Sequence, residues 1–303
     1  MNIKDLNKLF YFTWNIGFVD KSIGEVISNS DEILDVHWLK HTYNDRFFAD
    51  PFLLSADEEK IEVLVEEFPY FQKKGIISLL TVNREYELID KKIISDQPYH
   101  QSYPFILRDG DNIYVIPEAS QSGNLYLYKY DRIKQMLIDK RLLICEPLLD
   151  STFFYFDSYW WLFATKNGKD SNRNLYLYYS ESLNELFKPA IKQPIISDLN
   201  NARPGGCIIN SGSDKYRIVQ KCEQSYGEAI RICKVNQLCK DKYVENFVKE
   251  IRLVDKKYYH GFHTLNGLNN ICVVDGLKKD FMPINRVINE IRYIGNKCVK
   301  GIY

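Results

Sequence analysis

Short apolar runs recur along the chain in hairpin-like groups, each opening on a small polar cluster and closing on a Tyr- or Leu-rich strand. The first group reads ADPFLLSADEEKIEVLVEEF, then GIISLLTV, from Ala49 to Val82. The second is SYPFILRDGDNIYVIPEAS with GNLYLYKY, from Ser102 to Tyr130. DSTFFYFDSYWWLFATKNG with NLYLYYS follows, from Asp150 to Ser180, then ARPGGCIINSGSDKYRIVQKCEQ with AIRICKV, from Ala202 to Val235. FHTLNGLNNICVVDG, from Phe262 to Gly276, is a weaker fifth copy. The openings Asp50-Pro51, Tyr103-Pro104, Asp150-Ser151 and Arg203-Pro204 stand 53, 47 and 53 positions apart, and His263-Thr264 follows after 60.

Within each unit a turn joins the first strand to a second. That second strand ends on a polar residue: Glu67, Glu118, Thr165, Gln220 or Asp275. A third strand follows, and the linkers supply the fourth. Four strands per unit at this period predict an all-β, five-bladed β-propeller spanning 1–303. Blades open near 50, 103, 150, 203 and 263, with 1–45 and 277–303 as closing or capping segments. A sandwich does not repeat so evenly, and a parallel α/β fold needs a helix after every strand. The best helical candidates are 131–139 (RIKQMLIDK) and 181–188 (ESLNELFK), both short and between blades.

In a propeller the innermost strands line a central channel, so the residues that open or end the first two strands of each blade converge. That predicts one funnel containing Asp50, Glu67, Glu118, Asp150, Arg203, Gln220 and His263. Asp57, Asp109 and Asp157 read instead as solvated turns.

The 303 residues carry 40 Lys+Arg against 40 Asp+Glu, a balance that excludes a nucleic-acid binder resting on excess basic charge. Twenty-two Tyr, 17 Phe and 4 Trp suit pleated sheets and also offer flat faces to sugar rings. Seven irregularly spaced Cys with no CxxC pair, and an N-terminus without a signal-like apolar core, predict a reduced cytoplasmic protein. No apolar run is long enough to span a bilayer, while association with the inner membrane face stays open. His260 and His263 fall on opposite strand faces, so no metal pair is expected, and no cofactor motif occurs. Gly205-Gly206 signals a close backbone approach, since the Lys and helix of a phosphate loop are missing.

RFFADPF at 46–52, HQSYPF at 100–105, IPEAS at 116–120, Asp150 with WWLFAT at 160–165, and NARPGG at 201–206 carry a resemblance. With WNIGF at 14–18 and HWLK at 37–40, the chain resembles the N-terminal propeller domain of glucosamine inositolphosphorylceramide transferases and its stand-alone bacterial relatives beside polysaccharide-building genes. More distantly it is similar to furanosidase-like five-bladed propellers, including glycoside hydrolase families 43, 32 and 68.

The resemblance implies a three-acid site. Asp50 matches the first-blade Asp, a base or nucleophile, and Asp150 the second Asp, which tunes a neighbour and grips a hydroxyl. Glu118 is the candidate proton donor, with Glu67 its rival in blade one. Arg46, His100, Tyr103, Arg203, Gln220 and His263 complete the expected substrate-binding set. The expected ligand is a sugar, a nucleotide sugar or a lipid-linked glycan. Two roles follow: an enzyme cleaving or transferring a glycosyl unit, or a non-catalytic module presenting an acceptor to a partner glycosyltransferase. A protein-interaction scaffold fits less well, because it calls for few buried acids.

Overall fold

The computed structural model describes residues 10–29, 33–281, 288–289 and 291–294. Residues 1–9 and most of the expected C-terminal capping segment lie outside that set. Strand β1 (Phe10–Val19) is followed by helix α1 (Ile23–Ser28) and the short β2 (His37–Trp38). The first blade is β3 (Arg46–Ala56), β4 (Lys60–Pro69), β5 (Ile76–Asn83) and β6 (Leu88–Ser95), antiparallel in that order. The second is β7 (Ser102–Asp109), β8 (Asn112–Glu118), β9 (Leu125–Asp131) and β10 (Met136–Ile144). The third is β11 (Leu148–Phe156), β12 (Tyr159–Lys166) and β13 (Asn174–Ser180), whose outer edge pairs with β14 (Lys188–Pro189) and β15 (Ile196–Ser197). The fourth is β16 (Pro204–Ser211), β17 (Asp214–Lys221), β18 (Ala229–Cys239) and β19 (Lys242–Ile251).

The fifth blade is built from both parts of the chain. Strands β20 (Leu265–Leu268) and β21 (Ile271–Phe281) form its inner half, and β1 and β2 its outer half. The β1–β21 ladder runs unbroken from Phe10↔Phe281 to Val19↔Cys272. The N-terminal strand therefore closes the ring, which is the five-bladed propeller that the repeat predicts. Closure buries Ile16 and Phe18 against Phe48, Val63, Leu80 and Val273 between the fifth and first blades. Burying each such side chain contributes roughly 1.5–3 kcal/mol.

Neither helical candidate forms a helix. Over 131–139, Asp131 Oδ1 accepts from the N–H groups of Ile133 and Lys134, a side-chain-closed turn that hands the chain straight to β10. Over 181–188, Ser180 and Ser182 hydroxyls accept from the N–H groups of Ser182 and Asn184. Leu183 and Phe187 are buried there, so their helix-like spacing reflects two anchors under a loop. Helix α1, by contrast, has a capping box of Ser22 and Glu25.

No helix among the described residues is long and apolar enough to cross a membrane. The six described cysteines (145, 207, 222, 233, 239 and 272) are all free, and Cys298 lies outside the described residues. Thiol titration after denaturation without reductant is expected to count at least these six, and a lower count would reveal a disulfide.

Candidate functional site

Each of the first four blades opens on a β-bulge: the register slips between Ala49 and Phe52, Ser102 and Phe105, Leu149 and Thr152, and Pro204 and Ile208. A bulge re-aims the side chains of its strand. At three of them the central residue takes a left-handed backbone: Asp50 (φ 50°), Tyr103 (φ 41°) and Asp150 (φ 48°). That region costs a non-glycine residue free energy and concentrates at functional sites.

The strained residues turn their N–H groups toward the preceding blade, where a carboxyl accepts each one. Asp50 donates to Asp275 Oδ2 (3.1 Å), Tyr103 to Asp50 Oδ2 (3.1 Å) and Asp150 to Glu118 Oε2 (3.4 Å). Arg203, opening the fourth blade, reaches back in the same sense, its Nε donating to Asp150 Oδ2 at 2.6 Å. A chain of polar contacts thus runs through all five blades. Gly206 permits the tight packing beneath it, since a Cβ there would lie 2.1 Å from the carbonyl oxygen of Leu265.

His263 sits between two acids. Its Nδ1 is 2.7 Å from Asp275 Oδ2 and its Nε2 is 3.2 Å from Asp50 Oδ1, which also accepts from Thr264 Oγ1. Burial disfavours the imidazolium, but the Asp275 and Asp50 carboxylates outweigh it and push the pKa up to about 9. Trp14 stacks on the ring at 4.0 Å, and Tyr226 packs edge-on at 5.4 Å. Gly227, at φ +60°, brings that loop against His263, where a Cβ would meet another at 2.5 Å. Ligand atoms of Asp50, His263 and Asp275 lie within 4.8 Å of one another, as a metal would require. The fit is poor: Asp275 already accepts from the N–H groups of Asp50, His263 and Thr264, and the imidazolium supplies the positive charge.

The acids differ in proton affinity. Burial, Asp150 and Asp50 raise Glu118 to about 8 against the opposing pull of Arg203 and a hydrogen bond from Ser120. Burial raises Asp50 to about 6, with Asp150 and Asp275 adding to the rise and His263 opposing it. Asp150 Oδ2 accepts from both Arg203 Nε and Gln220 Nε2 (2.7 Å), so its position is fixed.

The rest of the expected set divides. His100 lies beside the acids, its Nε2 3.6 Å from Glu66 Oε1 and its Nδ1 accepting from Gly75 N–H. The Tyr103 backbone serves the site, but its ring is fully buried and its hydroxyl bonds Thr152 Oγ1, out of a ligand's reach. Glu67 faces away from the acid cluster. It accepts from Ser78 and Lys91 and pairs with Arg46, which also binds Asp45, so both Glu67 and Arg46 are spent on a buried structural network.

The residue overlooked in the sequence is Glu66. It pairs with Ala49 across β3–β4, as Glu118 pairs with Ser102 across β7–β8. Burial, then Asp50 and Glu118, raise its pKa well above the ordinary carboxylate value. Two adjacent glutamates at a strand end were the available signal, and strand parity chooses between them.

For Glu118 (4.5 to about 8), Asp50 (3.8 to about 6) and His263 (6.5 to about 9), the folded chain holds protons that the unfolded chain releases. Their stabilising contribution is fully present at low pH and is lost as pH rises through the folded values. The melting temperature is therefore expected to fall between pH 5 and pH 9, by roughly a few degrees or more. Differential scanning fluorimetry checks this, and a rise over that range would contradict the proton assignments.

Residues 32–274 match the family described as glucosamine inositolphosphorylceramide transferase 1, N-terminal. The chain is 30% identical over 217 residues to glucosamine inositolphosphorylceramide transferase 1 of Oryza sativa subsp. japonica, covering 67% of this chain and 28% of that protein. Its counterpart from Arabidopsis thaliana is 28% identical over 204 residues, covering 66% and 27%. The chain thus spans little more than a quarter of the length of these curated relatives. Among solved structures, an α-L-arabinofuranosidase from Podospora anserina in complex with cellotriose aligns with a TM-score of 0.57 at 9% identity, covering 88% of this chain and 97% of that one. A thermostable family-43 glycoside hydrolase gives 0.56 at 14% identity, covering 71% and 81%. At such identities the likeness carries the fold alone.

Proposed function

Because this chain belongs to the family of the N-terminal domain of glucosamine inositolphosphorylceramide transferase 1, we propose that it handles a sugar in surface polysaccharide or glycolipid construction, and that its channel carboxylates cleave or transfer a glycosyl unit. One observation carries the catalytic reading: acids from the first three blades meet in a nearly dry funnel with staggered proton affinities, Glu118 near 8 and Asp50 near 6. At neutral pH Glu118 holds a proton and Asp50 is mostly ionised.

Glycosyl transfer through an oxocarbenium-like state needs both forms. Glu118 gives its proton to the departing glycosidic oxygen as the bond to the anomeric carbon breaks. Asp50 either bonds to that carbon or takes a proton from the incoming water or acceptor hydroxyl. Asp150, held by Arg203 and Gln220, fixes a ring hydroxyl with its free oxygen.

A second reading is supported by the extent of the match, since most of each curated relative lies outside the aligned region. In that reading the propeller binds a glycan and a separate glycosyltransferase does the chemistry. Peripheral contact with the inner membrane face would then bring a lipid-linked acceptor within reach. The same reading sets the protein in a reduced cytoplasm.

The test is a mass-spectrometric screen of the purified protein against nucleotide sugars, lipid-linked sugars and short glycans. Turnover with a bell-shaped pH dependence, its limbs near 6 and 8, is the expected result. A protein that binds a glycan tightly and never changes it, across donors and acceptors, would establish the binding reading instead.

A further inference from the structure

Beside the funnel, a cavity of about 330 Å³ lies between the fifth blade and the start of the first. Its lining contains Lys40, Arg46, Lys257 and Lys278 against a single carboxylate, Asp280. Arg46 is consumed by Asp45 and Glu67, and Lys278 pairs with Asp280. Lys257 has no ion pair within 4.0 Å among the described residues, and its ammonium lies 5.1 Å from the Tyr258 ring centre.

Two buried polar atoms complete the pattern. Asn15, 2% exposed, donates its amide to Leu39 O and Tyr258 Oη, which fixes its orientation and leaves Oδ1 without a partner. His41 Nδ1 is likewise buried and unpartnered. Burial, then Lys278 and Lys257, push the His41 pKa down to about 4, so the imidazole is neutral at working pH. A buried polar atom without a partner forfeits its solvation, which a ligand hydroxyl would recover. Trp14 forms part of the cavity wall and stacks on His263, linking the cavity to the funnel.

We propose that this cavity is a second ligand site, in which Lys257 binds the anionic group of a phosphorylated or carboxylated sugar or polyol while Asn15 and His41 bind its hydroxyls. The unpaired ammonium selects charge, and the two orphan atoms select a polyhydroxylated ring over a bare anion.

Binding is the readout, so the result is independent of whether the funnel turns over a substrate. Isothermal titration of the purified chain uses glucose 1-phosphate, glucuronate, glucose and inorganic phosphate. One or both anionic sugars should bind at least about tenfold more tightly than glucose or inorganic phosphate, and the stronger one identifies the anion. Lys257→Gln should weaken that binding about tenfold, the loss of one charge-assisted hydrogen bond, and leave glucose unaffected. Lys257→Arg should retain most of it. The proposal is overturned if neither anionic sugar binds, if Lys257→Gln binds it as well as the parent, or if inorganic phosphate binds as tightly as glucose 1-phosphate.

Discussion

Asp50→Asn is expected to lower turnover about a thousandfold or more while leaving the fold standing. The amide keeps the size of the side chain and can still accept through its oxygen from Tyr103 N–H or Thr264 Oγ1. What disappears is the negative charge at the reacting carbon, and an acid–base residue of this kind typically contributes 10²–10⁴-fold. Glu118→Gln should cost a similar factor for substrates whose leaving oxygen needs a proton. The loss should shrink for an activated leaving group such as nitrophenolate. Its alkaline limb near 8 should vanish from the residual activity, because the group that titrates there is gone. Glycan binding should survive both changes, since Arg203, Gln220 and His100 are untouched. Steady-state kinetics with natural and activated substrates separates the cases. If Glu66→Gln proves the more damaging change, the proton donor lies in the first blade. If neither Asp50→Asn nor Glu118→Gln alters turnover, the funnel is not where the chemistry occurs.

Asp275→Asn is expected to be the most destabilising substitution of its size in the channel. Asp275 is fully buried and accepts from three backbone N–H groups, besides facing the His263 imidazolium. The amide would turn an NH2 toward one of these donors and leave His263 with a single buried counter-charge. Removing one partner of a buried charge pair costs about 3–5 kcal/mol. For a chain of this size that is a drop of roughly 10 °C in melting temperature. The effect should also depend on pH. Without Asp275 the His263 pKa falls, so part of the deficit should disappear by about pH 9, where the parent's own imidazolium is titrating. A pH-independent loss, or none, would mean that the imidazolium is not what Asp275 holds. His263→Gln, which removes the cation, offers a second measure of the same cluster.

The amino-acid sequence by itself determined the blade count and the positions that open each blade. A propeller blade is four short strands, so its period is written locally in turn residues and apolar runs. Asp50, Tyr103, Asp150, Arg203 and His263 could be located by spacing alone, as could Glu118 and Asp275 at their strand ends. Which way each side chain points was decided by tertiary structure. At Glu66 and Glu67 a bulge opposite the strand end sets the parity, and a shift of one residue exchanges the channel face for the opposite, buried face of the strand. Spacing favoured Glu67, whereas strand pairing assigns the channel to Glu66. Tyr103 differs again: its position was legible, but the left-handed bulge sends its backbone N–H to Asp50 and its ring to Thr152. The terminal segments were legible as closing or capping pieces, but the pairing that closes the ring was hidden, because β1 and β21 meet across more than 250 residues and neither carries a mark of the other. The proton affinities follow the same division. Glu118 is an ordinary glutamate in the sequence, and it becomes an acid near 8 only when folding removes its water and sets Asp150 and Asp50 beside it. Periodicity is a property of neighbours along the chain; desolvation and charge proximity belong to neighbours in space.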